Sequence, residues 1–218
     1  MTGIIIIGRV ALFLGLRLYS VLGKRTGHEQ SFGHPEDATV PPLPAGTTPD
    51  EARDRAPFAE AAEQVVENGA TAGVRAIAAS DRQFSPEQFV DGAKAAYRMI
   101  LEAYWKGDLS EVEGFVAEDV RAAFAEAVEA RVAAGETLDN RLINIERAVI
   151  ANAELERGWA RITVRFDADI AAVTRNKEGS VIAGSLSDAV PTHDSWVFSR
   201  EMRAADPNWI LTDTDEAS

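Results

Sequence analysis

Few residues in this chain have the chemistry of an active site, and most of them lie in its second half. Asp167 and Asp169 stand two positions apart in "ARITVRFDADIAAV", and His193 directly precedes Asp194. Paired carboxylates, or a histidine held by an acid, are common tools of general acid–base catalysis. On a strand, however, residues two apart share a face and adjacent residues face opposite ways. We therefore interpret Asp167 and Asp169 as a solvated surface pair whose negative charges are paired with arginines of the same strand. We expect no catalytic dyad between His193 and Asp194.

No motif for covalent, metal or phosphate chemistry accompanies these residues. The sequence has no cysteine, which excludes disulfides and thiolate metal sites, and its three histidines (His28, His34 and His193) are scattered. It contains no G-x-S-x-G, P-loop or H-E-x-x-H motif. We expect a protein that is not an enzyme and has no cofactor and no metal.

The charge is unevenly distributed along the chain. Residues 1–27 contain Arg9, Arg17, Lys24 and Arg25 and no acid, although the net charge of the whole chain is −13. The remainder is therefore strongly acidic. Such a surface repels phosphate backbones, so we expect no nucleic-acid partner.

Arg9 and Arg17 lie inside an apolar run, "IIIIGRVALFLGLRLYSVL", at residues 4–22. A signal peptide carries its charge before the apolar stretch, whereas here Lys24 and Arg25 follow it. A helix over residues 3–22 would reach ~30 Å, the thickness of a bilayer core. This predicts a transmembrane helix, with the following domain on the cytoplasmic side. Arg9, Arg17 and Lys24 lie within about 80° of one another on a helix, so an interfacial amphipathic helix is the alternative.

The chain divides into four segments. Residues 1–27 form the predicted anchor with its basic flank. Residues 28–57 are rich in proline, glycine and acids without an apolar period, which predicts a disordered linker. Residues 58–84 are alanine-rich and predict short docking helices, one of them over residues 71–80. Residues 85–214 form the main domain.

The main domain begins with helical signals. Ser85 is suited to an N-cap, Pro86 to the first helical position and Gly107 to a left-handed stop. Apolar residues recur between them at helical spacing. Asp108 and Glu111 predict a second capping box and a short helix ending near residue 116. A further helix is predicted from Asp119 to Gly135, with Val120, Phe124, Val128 and Val132 on its buried face.

After Gly135 the apolar period changes to two, which predicts strands. They are expected over residues 142–155, over 160–173, from residue 193 to 202, and over 209–212. Helices followed by strands predict an α+β domain, with helices on one face of a curved antiparallel sheet of about four strands. The inward positions of the second strand are all apolar: Ile162, Val164, Phe166, Ala168 and Ile170.

Two sets of residues resemble a known family. They are Leu22, Gly23, Arg25, Thr26 and Gly27 after the apolar run, and Trp196, Phe198, Pro207, Asn208 and Trp209 near the end. Together with "FSPEQFVDGAKAAYRMILEAYWKGD", they are similar to the bacterial, TimA-type branch of the Tim44 family. The mitochondrial members are adaptors of the inner-membrane presequence translocase. They recruit a heat-shock chaperone and associate with cardiolipin-rich membrane.

The resemblance implies a cone-shaped domain of the nuclear-transport-factor-two-like kind with a large apolar pocket. It implies an adaptor or scaffold anchored to the inner membrane that acts in protein transport or assembly. A membrane complex or chaperone would be its partner, and lipid a further contact. The candidate pocket residues are Phe89, Tyr97, Ile100, Tyr104, Phe166, Trp196 and Phe198. The alternative is a small-ligand binder or an isomerase- or dehydratase-like enzyme that uses the same cone.

Overall fold

A computed structural model describes residues 64–216 of the chain. The predicted anchor residues Arg9, Arg17, Lys24 and Arg25 and the predicted linker 28–57 lie outside the described residues. Between residues 64 and 216, no helix is both long enough and apolar enough to cross a bilayer.

In the part of the chain that the structure describes, three α-helices with defined bounds precede the strands. They are α1 (Thr71–Ser80), α2 (Pro86–Lys106) and α3 (Glu118–Ala134). Two short 3-10 turns, Asn68–Ala70 and Ser110–Val112, lie before α1 and after α2. The helix predicted over residues 71–80 is therefore present.

The sequence signals for α2 are confirmed at both ends. The Ser85 hydroxyl accepts a hydrogen bond from the Gln88 N–H at 3.4 Å, and Pro86 occupies the first turn, where its missing N–H costs nothing. Gly107 ends the helix in the left-handed conformation with φ 79°.

The segment after α2 differs from its prediction. The Asp108 carboxylate accepts from the backbone N–H and the hydroxyl of Ser110, so it stabilises a local turn instead of a capping box with Glu111. A single 3-10 turn follows in place of a helix. In α3 the predicted face is buried at Val120 and Phe124, but Val132 is 64% exposed because it lies in the last turn, beyond the core.

The strands form one antiparallel sheet, β1 (Thr137–Leu138), β2 (Arg141–Glu156), β3 (Trp159–Arg175), β4 (Val181–Glu201) and β5 (Ile210–Glu216). The order is β2-β3-β4-β5, and β1 pairs with the far end of β3 beside β2. The prediction of an antiparallel sheet in an α+β domain is confirmed, with a short fifth strand. β4 begins at Val181 and not at residue 193, because a glycine, a proline and several small polar residues hide the alternation there.

Each outer strand of the sheet, β2 and β5, is bridged at one place by another segment of the chain. At the β2 edge, Val66 forms a parallel bridge to Ile150, and the Glu67 N–H donates to the Ile150 carbonyl. At the β5 edge, Leu211 exchanges backbone hydrogen bonds with Phe115 and Ala117. These bridges satisfy backbone groups that would otherwise be open to pairing with another chain.

Helix α1 lies so close to β2 that a glycine is required. A Cβ built on Gly73 would stand 1.7 Å from the carbonyl oxygen of Ala153. The other end of α1 is tied down by Asp81, whose carboxylate pairs with Arg200 of β4. This hydrogen bond lowers the pKa of Asp81, so the pair stabilises the fold above the ordinary carboxyl pKa and is lost as the pH falls through the lowered value.

We predict that Gly73→Ala lowers the free energy of unfolding by about 1–3 kcal/mol, because α1 must move away from β2. Gly92→Ala in α2 is the matched control, since nothing lies within 4 Å of a Cβ at that position. It should raise the stability by up to about 1 kcal/mol through helix propensity. Urea denaturation measures both, and an equal rise in the two variants would contradict the close contact.

Candidate functional site

The candidate pocket residues meet where α2 packs on the sheet. We call the α2-facing side of β3 and β4 the inner face; it includes Phe166, Trp196 and Phe198. All seven candidates are buried, none more than 8% exposed. Tyr97 and Ile100 belong to the most deeply buried side chains of the described residues. The structure therefore places all seven predicted residues in the buried core, with Tyr104 apart from the others at the far end of α2, and their role in binding a ligand stays a prediction.

Aromatic contacts hold this cluster together. The Tyr97 ring stacks on Phe166, with centroids 4.4 Å apart and 19° between the planes, and lies 4.7 Å from Trp196. Two turns earlier on α2, Phe89 meets Phe198 at 6.0 Å and Trp209 at 4.9 Å, both edge to face. Such pairs add specific geometry to the burial of apolar area, so α2 is fixed in position along the strands.

One polar contact lies inside this apolar cluster. The Tyr97 hydroxyl donates to Oδ2 of Asp194 at 2.6 Å. Burial of the ring raises the pKa of the Tyr97 phenol far above its ordinary value, and the negative charge of Asp194 raises it further. Tyr97 therefore stays protonated and acts as a hydrogen-bond donor at physiological pH.

Asp194 is the inner-face residue that sequence reasoning missed. It is paired across the sheet with Phe166 and shares its face with Trp196 and Phe198. The sequence contained the signal, because Asp194 stands two positions before Trp196, a candidate pocket residue, and residues two apart on a strand share a face. The inner face of β3 is apolar as predicted, but that of β4 carries a carboxylate.

His193 faces the opposite side of the sheet, as expected for a neighbour of Asp194. Its Nδ1 lies 2.7 Å from Oδ1 of Asp167, directly across on β3. Arg165 pairs with Glu67 and not with an aspartate of its own strand. The prediction that arginines of β3 pair with Asp167 is thus wrong. Asp167 contacts His193 because cross-strand neighbours lie closer than residues two apart on one strand. His193 is half exposed and has the geometry of a surface ion pair.

Tyr104 stands at the other end of α2, in a separate contact. Its ring lies 5.3 Å from Phe124 of α3 and 5.4 Å from the Arg131 guanidinium. Arg131 donates to the carbonyls of Tyr104 and Trp105 at 3.1 and 3.3 Å. It therefore satisfies carbonyls that the end of α2 leaves without a partner, and its positive charge suits the negative end of the helix dipole.

No group of three or more histidine, aspartate and glutamate side chains is arranged to hold a metal ion within residues 64–216. Beside the aromatic rings, the polar groups of the inner face include the Asp194 carboxylate, the Tyr97 phenol and the Thr192 hydroxyl.

The geometry defines an α+β domain whose long helix is locked on an antiparallel sheet by an aromatic cluster. A family model described as "Tim44-like domain" matches residues 70–216. The chain belongs to this family. The match includes α1 and the residues at 196–209 that carried the resemblance, while the Leu22–Gly27 motif lies outside it.

Several solved structures are similar to this chain, and one of them illustrates how distant the likeness is. The crystal structure of the intermembrane space region of chloroplast protein ARC6 is similar with a TM-score of 0.42 and 8% sequence identity, covering 59% of this chain and 97% of that one. A search of curated proteins found no match.

We predict that Tyr97→Phe lowers the free energy of unfolding by about 1–2 kcal/mol, because the partly buried Asp194 loses a hydrogen-bond donor. Tyr104→Phe is the matched control. The Tyr104 hydroxyl makes no hydrogen bond to any residue within 64–216, so the change should stay within about 0.5 kcal/mol. Urea denaturation of both variants provides the measurement. A Tyr97→Phe variant as stable as the control would show that the contact contributes nothing.

Proposed function

We propose that the protein is a membrane-tethered adaptor that acts in protein transport or membrane-protein assembly. The observation that carries this proposal is the Tim44-like domain over residues 70–216. The domain would take the cone-shaped, nuclear-transport-factor-two-like form. It would act at the cytoplasmic side of the inner membrane, with a membrane complex or chaperone as its main partner and lipid as a further contact.

The amino-terminal sequence supports the tether. Residues 4–22 are long and apolar enough for a bilayer, and Lys24 and Arg25 follow them. The predicted linker then separates this segment from the domain. A body suspended in this way can reach partners near the membrane without moving its anchor.

The arrangement of the inner face favours a binding role over catalysis. The phenol of Tyr97 is fully buried and already donates to Asp194, and the neighbouring inner-face positions of β3 are apolar. A general acid or base needs a group that can reach a substrate and change its protonation state. We therefore propose a non-catalytic domain.

The outer face of α2 is the surface we propose for a protein partner. Its residues recur at helical spacing and are exposed: Asp91, Ala95, Arg98, Glu102 and Lys106. Their charged pairs, Asp91–Lys94 and Glu102–Lys106, lie within the helix itself. The opposite face of α2 is fixed on the sheet, so this surface is presented rigidly.

The second candidate is a small-ligand binder or enzyme, and Asp194 is the observation that favours it. A carboxylate among aromatic rings is a typical recognition group of a small-molecule site. Asp194 would then be the residue that contacts the ligand.

Site-specific photo-crosslinking in native membranes tests the adaptor. The full chain carries a photoreactive residue at Arg98 or Glu102 on α2, or at Arg203 in the exposed β4–β5 turn as the control. We predict one protein adduct at the α2 positions, absent at Arg203. The adduct should disappear when residues 1–23 are deleted, because the domain is then no longer held at the membrane.

Two results would contradict this function. The first is the absence of any protein adduct at the α2 positions. The second is a small molecule retained by the purified full chain in native mass spectrometry and lost in Asp194→Asn, which would favour the ligand-binding alternative.

A further inference from the structure

The β3–β4 hairpin displays aliphatic side chains at the end of the sheet. Val181, Ile182 and Leu186 are 51%, 52% and 40% exposed. We call these three residues the hairpin patch. Single exposed aliphatics are ordinary, but three within six positions of one strand are not explained by the packing of the domain.

Bulges in β4 produce this display. Val181 pairs with Arg175 and Ala183 with Thr174, so Ile182 is an extra residue between two ladder positions. Residues 186–189 form a second, larger bulge opposite β3. Bulges redirect side chains and are built features of a sheet. Gly184 lies between the two bulges, where the backbone requires a glycine. Its φ is 81°, and a Cβ there would lie 1.9 Å from the Ala172 carbonyl oxygen.

The same features make the hairpin patch a poor template for another strand. β5 pairs with β4 only along residues 194–199, so the outer edge of residues 181–193 has no partner strand within residues 64–216. Bulges and the proline at position 191 interrupt the regular ladder that an added strand would need. A partner must therefore contact the side chains without forming regular backbone hydrogen bonds. An apolar fluid surface makes contacts of this kind.

The tether brings such a surface within reach. Residues 24–63 separate the predicted anchor from the described domain. A coil of this length has a root-mean-square span of about 35 Å, comparable with the diameter of a domain of this size. The bilayer is thus at high effective concentration around the domain.

The charge around the hairpin patch is compatible with lipid. Asp188 is the only formal charge in residues 180–192 of this acidic chain. The turn at the tip adds one charge of each sign, Lys177 and Glu178, and the aliphatic stem of Lys177 lies against Gly135 at the end of α3. A lysine in this position keeps its stem on apolar surface and its amine near lipid headgroups.

We propose that the β3–β4 hairpin is a second, peripheral membrane contact, in which Val181, Ile182 and Leu186 enter the boundary between headgroups and acyl chains. Only these side chains enter the boundary. The unpaired backbone edge stays in the hydrated headgroup layer, because hydrocarbon cannot form hydrogen bonds with its N–H and C=O groups. This inference rests on the proposed tether and goes beyond it. It fixes which end of the domain faces the bilayer.

The absence of cysteine makes the test direct, since one introduced cysteine carries the only label. An environment-sensitive fluorophore is attached to the full chain at Ile182→Cys or Leu186→Cys. Ala204→Cys, in the exposed turn at the opposite end of β4, is the matched control. Leu14→Cys reports the anchor. Each protein is reconstituted in vesicles of phosphatidylcholine and phosphatidylglycerol and quenched with brominated lipid or with aqueous iodide.

We expect the labels at 182 and 186 to be quenched by brominated lipid and protected from iodide, and the label at 204 to behave in the opposite way. Labels at 182 and 186 quenched by iodide as strongly as at 204 would overturn the proposal. Protection from both quenchers would also overturn it, because the patch would then be buried against a second copy or another protein.

The label at 14 separates this proposal from the anchor. If brominated lipid quenches the label at 14 while iodide quenches the labels at 182 and 186, the anchor is supported and the hairpin contact is refuted. Lipid quenching at 182 and 186 with an aqueous label at 14 supports the hairpin contact and refutes the anchor. Aqueous labels at all positions refute both.

Discussion

The fold depends on the burial of Tyr97. Its ring provides the flat surface on which Phe166 stacks and against which Trp196 leans, so it joins α2 to the two central strands. Its hydroxyl cannot be buried without a partner, because an unsatisfied polar group in an apolar core costs about 1–3 kcal/mol. Asp194 supplies that partner. The register of β4 is thereby coupled to the position of α2, since a shift of one residue would turn Asp194 to the outer face and leave the phenol among apolar atoms.

The rest of the domain protects this arrangement. The segments before α1 and before α3 bridge the two outer edges of the sheet, and the Asp81–Arg200 pair closes the end of α1 onto β4. Arg131 of α3 holds the last turn of α2 by donating hydrogen bonds to two of its carbonyls. The outer face of α2 and the β3–β4 hairpin are left as presented surfaces. A rigid core with two such surfaces at different places suits a domain that holds a partner in a fixed relation to a membrane.

Much of this architecture was predictable from local signals. Ser85, Pro86 and Gly107 fixed α2 because caps act within one turn, and the alternation in β3 fixed its inner face. The long first half of β4 was not predictable, since its bulges break the period of two on which strand recognition depends. Asp194 was overlooked for a different reason. The alternation placed it inward, but a carboxylate on that face is stabilised by the hydrogen bond from Tyr97, which is visible only in the three-dimensional structure. The pairing of Asp167 with His193 likewise depends on cross-strand register, which no local pattern contains.

A tethered adaptor must be held in a membrane by its apolar amino-terminal segment. Alkaline carbonate extraction of native membranes, applied to the full chain and to a variant lacking residues 1–23, tests this most directly. We predict that the full chain stays with the membrane pellet and that the variant is released. Release of the full chain by carbonate, after it had sedimented with untreated membranes, would indicate an interfacial helix. A full chain found free before extraction would contradict the tethered adaptor.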